Sequence, residues 1–368
     1  MEFERRLRKV TAYHLALFLL PLLSLLYYGW WSAPTLDQRP DNPFRLSPLA
    51  LRGELRDRAG RPLATSQDEQ RFYPLGAAAG PLVGYHLRGR NQSGLEALLR
   101  DELSPPAPPK SLWGALDLDR QRASGQPPLK GPDLQLTLDG ELQTKLYELL
   151  GEQAGAVVVA RLDNGEVLAA VSAPSFDPNQ VARDFQTLRA DPRSPLIERV
   201  GSGLYPVRSA QDDQLLTLQP NEPHPWLQDS PFPDYPGASG AVSIEGQLLV
   251  SPLMLLQTAA CSGQSRPLVW WPKMLPGQQS PPTSVAVPQL PELAPSHGFQ
   301  LMQLLGPPFG DSPPFQVVLG RTLDGSLQGA STPLVFVAVL EGADPPRASQ
   351  LRQALLPLLS AYSTPGGD

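Results

Sequence analysis

Ser194-Pro-Leu-Ile-Glu-Arg-Val-Gly-Ser-Gly-Leu-Tyr-Pro-Val-Arg-Ser-Ala-Gln-Asp-Asp213 has the frame of a reactive segment without its chemistry. A serine that opens a helix becomes a nucleophile when a base stands one turn along on the same face. Ser209 is a candidate helix-opening serine, and three residues later the chain supplies Asp212. A carboxylate with a pKa of about 4 is a poor base for a serine hydroxyl. Helix-start chemistry offers another reading, a variant capping box in which Ser209 caps a short helix and Asp212 bonds back to it.

Composition sets the outer limits. The chain has 368 residues, enough for two domains, and is 41% hydrophobic, so it is not disordered as a whole. A net charge of -6 leaves no electrostatic footprint for nucleic acid. The 44 prolines predict long punctuated connections. A single cysteine, Cys261, excludes an internal disulfide framework and a cysteine-based zinc site, and its expected role is packing in an apolar helix. His14, His86, His224 and His297 have no partners at ligand spacing and read as structural or surface residues, so neither metal nor cofactor is expected.

At the N-terminus, residues 1–9 carry Arg5, Arg6, Arg8 and Lys9, and Val10 to Tyr28 contains no charged side chain. At 1.5 Å per residue that run reaches roughly 28 Å, enough to cross a hydrocarbon core. Tyr27, Tyr28, Trp30 and Trp31 crowd the far end as an interfacial belt, and the basic end is held inside. An uncleaved single-pass anchor over 10–28 is favoured over a cleaved signal peptide, because bulky aromatics precede the small Ser32-Ala33 pair. The bulk of the chain is then extracytoplasmic, lifted off the bilayer by a linker over 29–47.

Arg52-Gly-Glu-Leu-Arg-Asp-Arg-Ala-Gly-Arg-Pro-Leu-Ala64 reads as two short strands about a turn at Ala59-Gly60. It is similar to the RGxIxDRxGxxLA signature of class B penicillin-binding proteins, the membrane-anchored transpeptidases that cross-link peptidoglycan. Arg71-Phe-Tyr-Pro-Leu-Gly76, Val83-Gly-Tyr85 and Ser93-Gly-Leu-Glu96 continue that pattern in the same order. The resemblance implies a non-catalytic pedestal over 48–130 and a transpeptidase-like domain over 131–368.

In the second region Asp139 is placed to cap a helix whose Leu142, Leu146 and Leu149 share a face, with Gly151 ending it. Gly155 to Arg161 and Glu166 to Ser172 flank Asp163-Asn-Gly165, a hairpin signal. Ala173-Pro-Ser-Phe-Asp-Pro-Asn179 is close to the family's SxPSFDPN, and Ser243 to Met254 resumes its SIGQG segment, with Ser251 and Pro252 starting a core helix. Pro333 to Glu341 reads as a buried strand and Ala348 to Tyr362 as a closing helix bent at Pro357. The expected fold is α+β (or α/β): a five-stranded, mostly antiparallel sheet covered by helices, on the pedestal and the single anchor.

In the family, the stretch around Ser209 carries an SxxK motif, a helical insertion carries SxN, and a KTG strand holds the substrate carboxylate while its glycine lets the peptide lie along the strand edge. Here Asp212 stands at the lysine position, and the proline-rich 213–240 segment has no S-x-N triplet. Phe315 to Leu323 takes the place of the KTG strand, with Arg321 and Thr322 at the degenerate substrate-binding position and bulky Leu323 obstructing it. The resemblance therefore implies a catalytically inactive pseudo-transpeptidase that binds or scaffolds cell-wall synthesis or division proteins. Two alternatives stand beside it. One is an active serine D,D-transpeptidase or acyltransferase that binds penicillin through Ser209; the other is a module binding peptidoglycan peptides through Arg321.

Overall fold

The computed structural model describes residues 13, 17–25, 27, 50–67, 70–87, 91–106, 120, 129–206, 208–209, 241–244, 247–261, 274–276, 292–306, 314–323, 332–342 and 345–363. The chain divides into two compact units, Met1–Ala50 with Leu87–Asn91, and Leu51–His86 with Gln92–Asp368. In the first, residues 17–25 are helical and their large apolar side chains are exposed, Leu17 at 69% and Phe18 at 75%. Among the described residues no helix is long and apolar enough to cross a membrane. Most of the rest of the 10–28 span lies outside them.

The second unit opens with a four-stranded sheet ordered β3-β2-β1-β4, where β1 is Leu55–Arg56, β2 Pro62–Gln67, β3 Gln70–Phe72 and β4 Leu134–Gln135. The turn between β1 and β2 falls at the expected place. Gly60 has φ +81°, a conformation a side chain would strain. The buried Asp57 carboxylate closes that turn by accepting from the backbone N–H groups of Ala59 at 2.9 Å and Arg61 at 2.8 Å. Short helices α1 (Gly80–Val83), α2 (Gly94–Leu98) and α3 (Arg100–Leu103) follow.

Helix α4 (Gly140–Leu150) is capped as expected, the Asp139 carboxylate accepting from the N–H groups of Glu141 and Leu142. Its buried stripe is Leu142, Leu146 and Leu150, while Leu149 is only partly buried beside it. Successive steps of four hold the stripe on the face toward the sheet better than a step of three. Strands β5 (Gly155–Arg161) and β6 (Val167–Ala173) form the expected hairpin, with Gly165 at φ +77° in its turn.

The main sheet has seven strands among the described residues. Five long ones make its antiparallel body in the order β12-β13-β14-β5-β6, where β12 is Phe299–Gly306, β13 Phe315–Thr322 and β14 Leu334–Glu341. The hairpin at Gly155 and the strands at Phe315 and Leu334 thus share one sheet, as expected. Two shorter strands, β8 (Arg208–Ser209) and β11 (Glu292–Ser296), pair with β12. A separate three-stranded sheet joins β7 (Tyr205–Pro206), β9 (Ala241–Ile244) and β10 (Gln247–Val250).

Helices α4 and α8 (Pro345–Ser363) pack into the core cluster built on Phe299, Phe336 and Leu340. Helix α8 runs through the exposed Pro357. Helix α7 (Pro252–Cys261) packs against β14, β13 and β5, its Met254 N–H bonded to the Ser251 hydroxyl that caps it. An edge strand would offer its backbone to another chain, and β6 avoids this through buried side chains. The Gln143 amide donates to Ala170 O and accepts from Ala170 N, both at 2.8 Å, and the Thr137 hydroxyl donates to Val167 O.

Candidate functional site

The path toward Ser209 starts at Ser194, whose φ of +52° puts a non-glycine residue in the left-handed region. The Glu198 carboxylate caps the single turn α6 (Arg199–Ser202), accepting from Val200 N at 3.0 Å and Gly201 N at 2.7 Å. It also accepts from the Ser172 hydroxyl on β6, which in turn accepts from Arg199 N. The buried Arg199 guanidinium bonds the carbonyls of Ser194 and Arg193 and reaches Glu341 Oε1 at 3.0 Å. Tyr205 donates to the same oxygen at 2.8 Å, and burial, then the Glu341 charge, push its hydroxyl pKa well up. Residues 193–205 are thereby clamped between β6 and the end of β14.

From this clamp the chain passes through β7 to β8, where Arg208 pairs with Leu305 and Ser209 with Leu304 of β12. The backbone of Ser209 therefore lies against the outer edge of β12. The helix expected to begin at Ser209, Asp212 and the shortened 213–240 segment lie outside the described residues.

Arg321 and Thr322, the expected substrate-binding pair, lie within the sheet. They sit on β13, with β12 on one side and β14 on the other, and the ladder at Arg321 is filled by Gln300 and Val335. An inner strand has no free edge along which a peptide can lie. The Arg321 guanidinium instead donates to Gln300 Oε1 across the β12–β13 pair at 3.0 Å, and Thr322 is buried. Gly320 has a packing role. A Cβ there would come within 2.8 Å of Phe336 Cε1 and 2.9 Å of Leu301 Cδ2.

The outer strand is β12, reading Phe-Gln-Leu-Met-Gln-Leu-Leu-Gly, with neither lysine nor arginine. Beyond it, β11 takes the ladder at Leu301 and Met302 and β8 takes it at Leu304 and Leu305. Sequence reasoning had passed over this strand. Its signal is that Gln300 and Gln303 interrupt the apolar run, whereas β13 is buried from Phe315 to Gly320 without a break. Among the described residues no group of His, Cys, Asp and Glu could hold a metal ion. His86 is largely buried and His297 lies in a turn at φ +51°.

An antiparallel five-strand body carrying α4 and α8, with α7 packed on it and a serine segment led to its outer strand, is the frame of a penicillin-binding transpeptidase domain. Solved structures agree. The penicillin-binding protein PBP2 of Pseudomonas aeruginosa superposes with a TM-score of 0.55 at 16% identity, over 83% of this chain and 96% of that one. PBPA of Mycobacterium tuberculosis gives 0.58 at 16% identity, over 84% and 99%. In sequence, the peptidoglycan D,D-transpeptidase MrdA of Escherichia coli K12 is 32% identical over 171 residues, 38% of this chain and 27% of the relative. The probable peptidoglycan D,D-transpeptidase PenA of Neisseria meningitidis is 32% identical over 154 residues, 37% and 26%. The matches span about a quarter of the length of these curated relatives. No family model matches the chain. It is a class B penicillin-binding-protein-like protein.

Proposed function

We propose that this chain is a catalytically inactive pseudo-transpeptidase of peptidoglycan synthesis or cell division, which acts by binding or scaffolding its partner proteins. One observation carries the reading: positive charge is missing both three residues after Ser209, where Asp212 stands, and along the whole of β12. Acylation of a serine needs its proton removed and the resulting anion stabilised. Two like charges ~4 Å apart repel by about 4 kcal/mol at an effective dielectric of 20. That slows the step roughly a thousandfold, at 1.36 kcal/mol per tenfold. The full-length protein in detergent, incubated with fluorescent penicillin beside an active transpeptidase, should take up no label. Stoichiometric labelling that disappears in Ser209→Ala would overturn the reading.

In this reading residues 10–28 anchor the chain in the cytoplasmic membrane with the bulk outside. The exposed apolar side chains of helical residues 17–25 support that anchor. Protease added to intact spheroplasts should digest most of the chain, and protection of its C-terminal part would refute the topology.

A further inference from the structure

The four-stranded sheet contains a buried cluster of ionised groups whose bonding is unfinished. Arg71 and Tyr73 lie two apart, so in extended chain they point the same way. Burial agrees: Phe72 between them is 43% exposed, while Tyr73 is 4% exposed. Beneath them the Glu96 carboxylate is fully buried, taking Arg52 Nε at 2.6 Å on one oxygen and Arg71 Nε at 2.7 Å on the other. Two guanidinium groups thus share one carboxylate, which leaves an excess positive charge away from water.

Three polar groups in this cluster have bonding capacity left unused. Arg71 Nη1 reaches the Ser66 hydroxyl at 3.1 Å, but Arg71 Nη2 is buried with no partner. Nδ1 of His86 is likewise buried with no partner. The backbone N–H of His86 donates to the Tyr73 oxygen at 2.7 Å, and no described contact accepts the Tyr73 hydroxyl proton. Buried polar atoms left so in a native fold point to a water or an ion that completes them. A water must also place its own two protons on acceptors. An anion needs donors alone, and the unpaired positive charge selects it. Burial first, and then the Arg52 charge, hold His86 down to about 4, so its ring is neutral at pH 7 and, protonated on Nδ1, supplies one donor.

We propose that this cluster binds a small monovalent anion of chloride size through Arg71 Nη2, the Tyr73 hydroxyl and His86 Nδ1. The anion completes the neutralisation of Arg52 and Arg71 and fastens β3 to α2 and to the His86 backbone. The assignment is independent of whether Ser209 is reactive.

Crystals of the full-length protein grown with sodium bromide in place of chloride should show an anomalous peak at hydrogen-bond distance from Arg71 Nη2 and Tyr73 Oη. In solution, replacing gluconate by chloride at constant ionic strength should raise the Tm of the full-length protein by roughly 2 °C per tenfold increase in chloride once the site is filling. Tyr73→Phe, which keeps the ring and loses one donor, should flatten that slope. An ordered water without anomalous signal at the position, or a Tm indifferent to chloride in the unmutated protein, would overturn the assignment whether or not the variant folds.

Discussion

The Glu96 cluster and the Ser209 segment treat charge in opposite ways. Around Glu96 the fold takes two guanidinium groups and a carboxylate out of water and satisfies both carboxylate oxygens. Such an arrangement is costly to desolvate and tolerates no missing member. Around Ser209 the sequence offers Arg208 directly before it and Asp212 in place of a lysine after it, and the neighbouring strand β12 offers no ionised side chain at all. The same contrast runs through the approach to Ser209, where Glu198, Arg199 and Glu341 are bonded to one another or to backbone. Charge in this molecule is spent on holding shape. A reader who judged the protein only by its reactive positions would expect a decayed fold, and the fold is intact.

The sharpest break in this comparison is Glu96→Ala. It leaves Arg52 and Arg71 buried without their carboxylate, and the loss should be about 3–5 kcal/mol, read from the urea midpoint of the full-length protein. A loss under about 1 kcal/mol would mean that the cluster is dispensable and the contrast with Ser209 empty.

Next comes Gly320→Ala, which asks how tightly the inner strand β13 is packed. A Cβ at that position meets Phe336 Cζ at 2.9 Å as well as Cε1 at 2.8 Å. Overpacking of this kind costs about 1–3 kcal/mol. Phe336→Leu in the same chain should recover part of it, a coupling of at least about 0.5 kcal/mol in a double-mutant cycle. Unchanged stability in the single variant would mean that the sheet accommodates the added methyl and that Gly320 has no packing role.

Local pattern made most of the framework legible. The Asp139 cap, the hairpin turn at Gly165, the Ser251 cap and the apolar run of β14 each depend on residues close in sequence, and each is found where the pattern puts it. Strand order is not a local property. The run Phe315 to Leu323 stands in the place of the family's substrate strand, while the neighbours of Arg321, Gln300 and Val335, come from separate parts of the chain. An unbroken apolar run was the available warning, because a strand buried on both faces belongs inside a sheet. Buried polar residues were the other blind spot. Gln143 and Glu96 look like surface residues until their distant partners, Ala170 and Arg52, are in place. The backbone of Ser209 lies at the sheet edge, and Arg321 lies inside the sheet.

The smallest expected effect tests whether the charge economy of the Glu96 cluster extends to the helix start at Asp139. Tyr362 on α8 donates to Asp139 Oδ2 at 2.7 Å, while the other carboxylate oxygen caps α4. Burial alone would raise the Asp139 pKa. The Tyr362 hydrogen bond, the two backbone N–H groups and the Arg61 charge outweigh it and hold the pKa below its ordinary 3.8. A carboxylate with a depressed folded-state pKa contributes stability that is fully present above the unfolded value and is lost as pH falls through the folded one. Tyr362→Phe removes one bond to the ionised form and should cost about 1–2 kcal/mol at pH 7. That difference should stay level from pH 7 down to about 5 and shrink below about pH 4, as Asp139 protonates in both proteins. A difference that persists undiminished to pH 3 would assign the loss to the other bond of the Tyr362 hydroxyl, the one it accepts from Arg58 Nη1 at 3.3 Å, and remove Asp139 from the ionised frame.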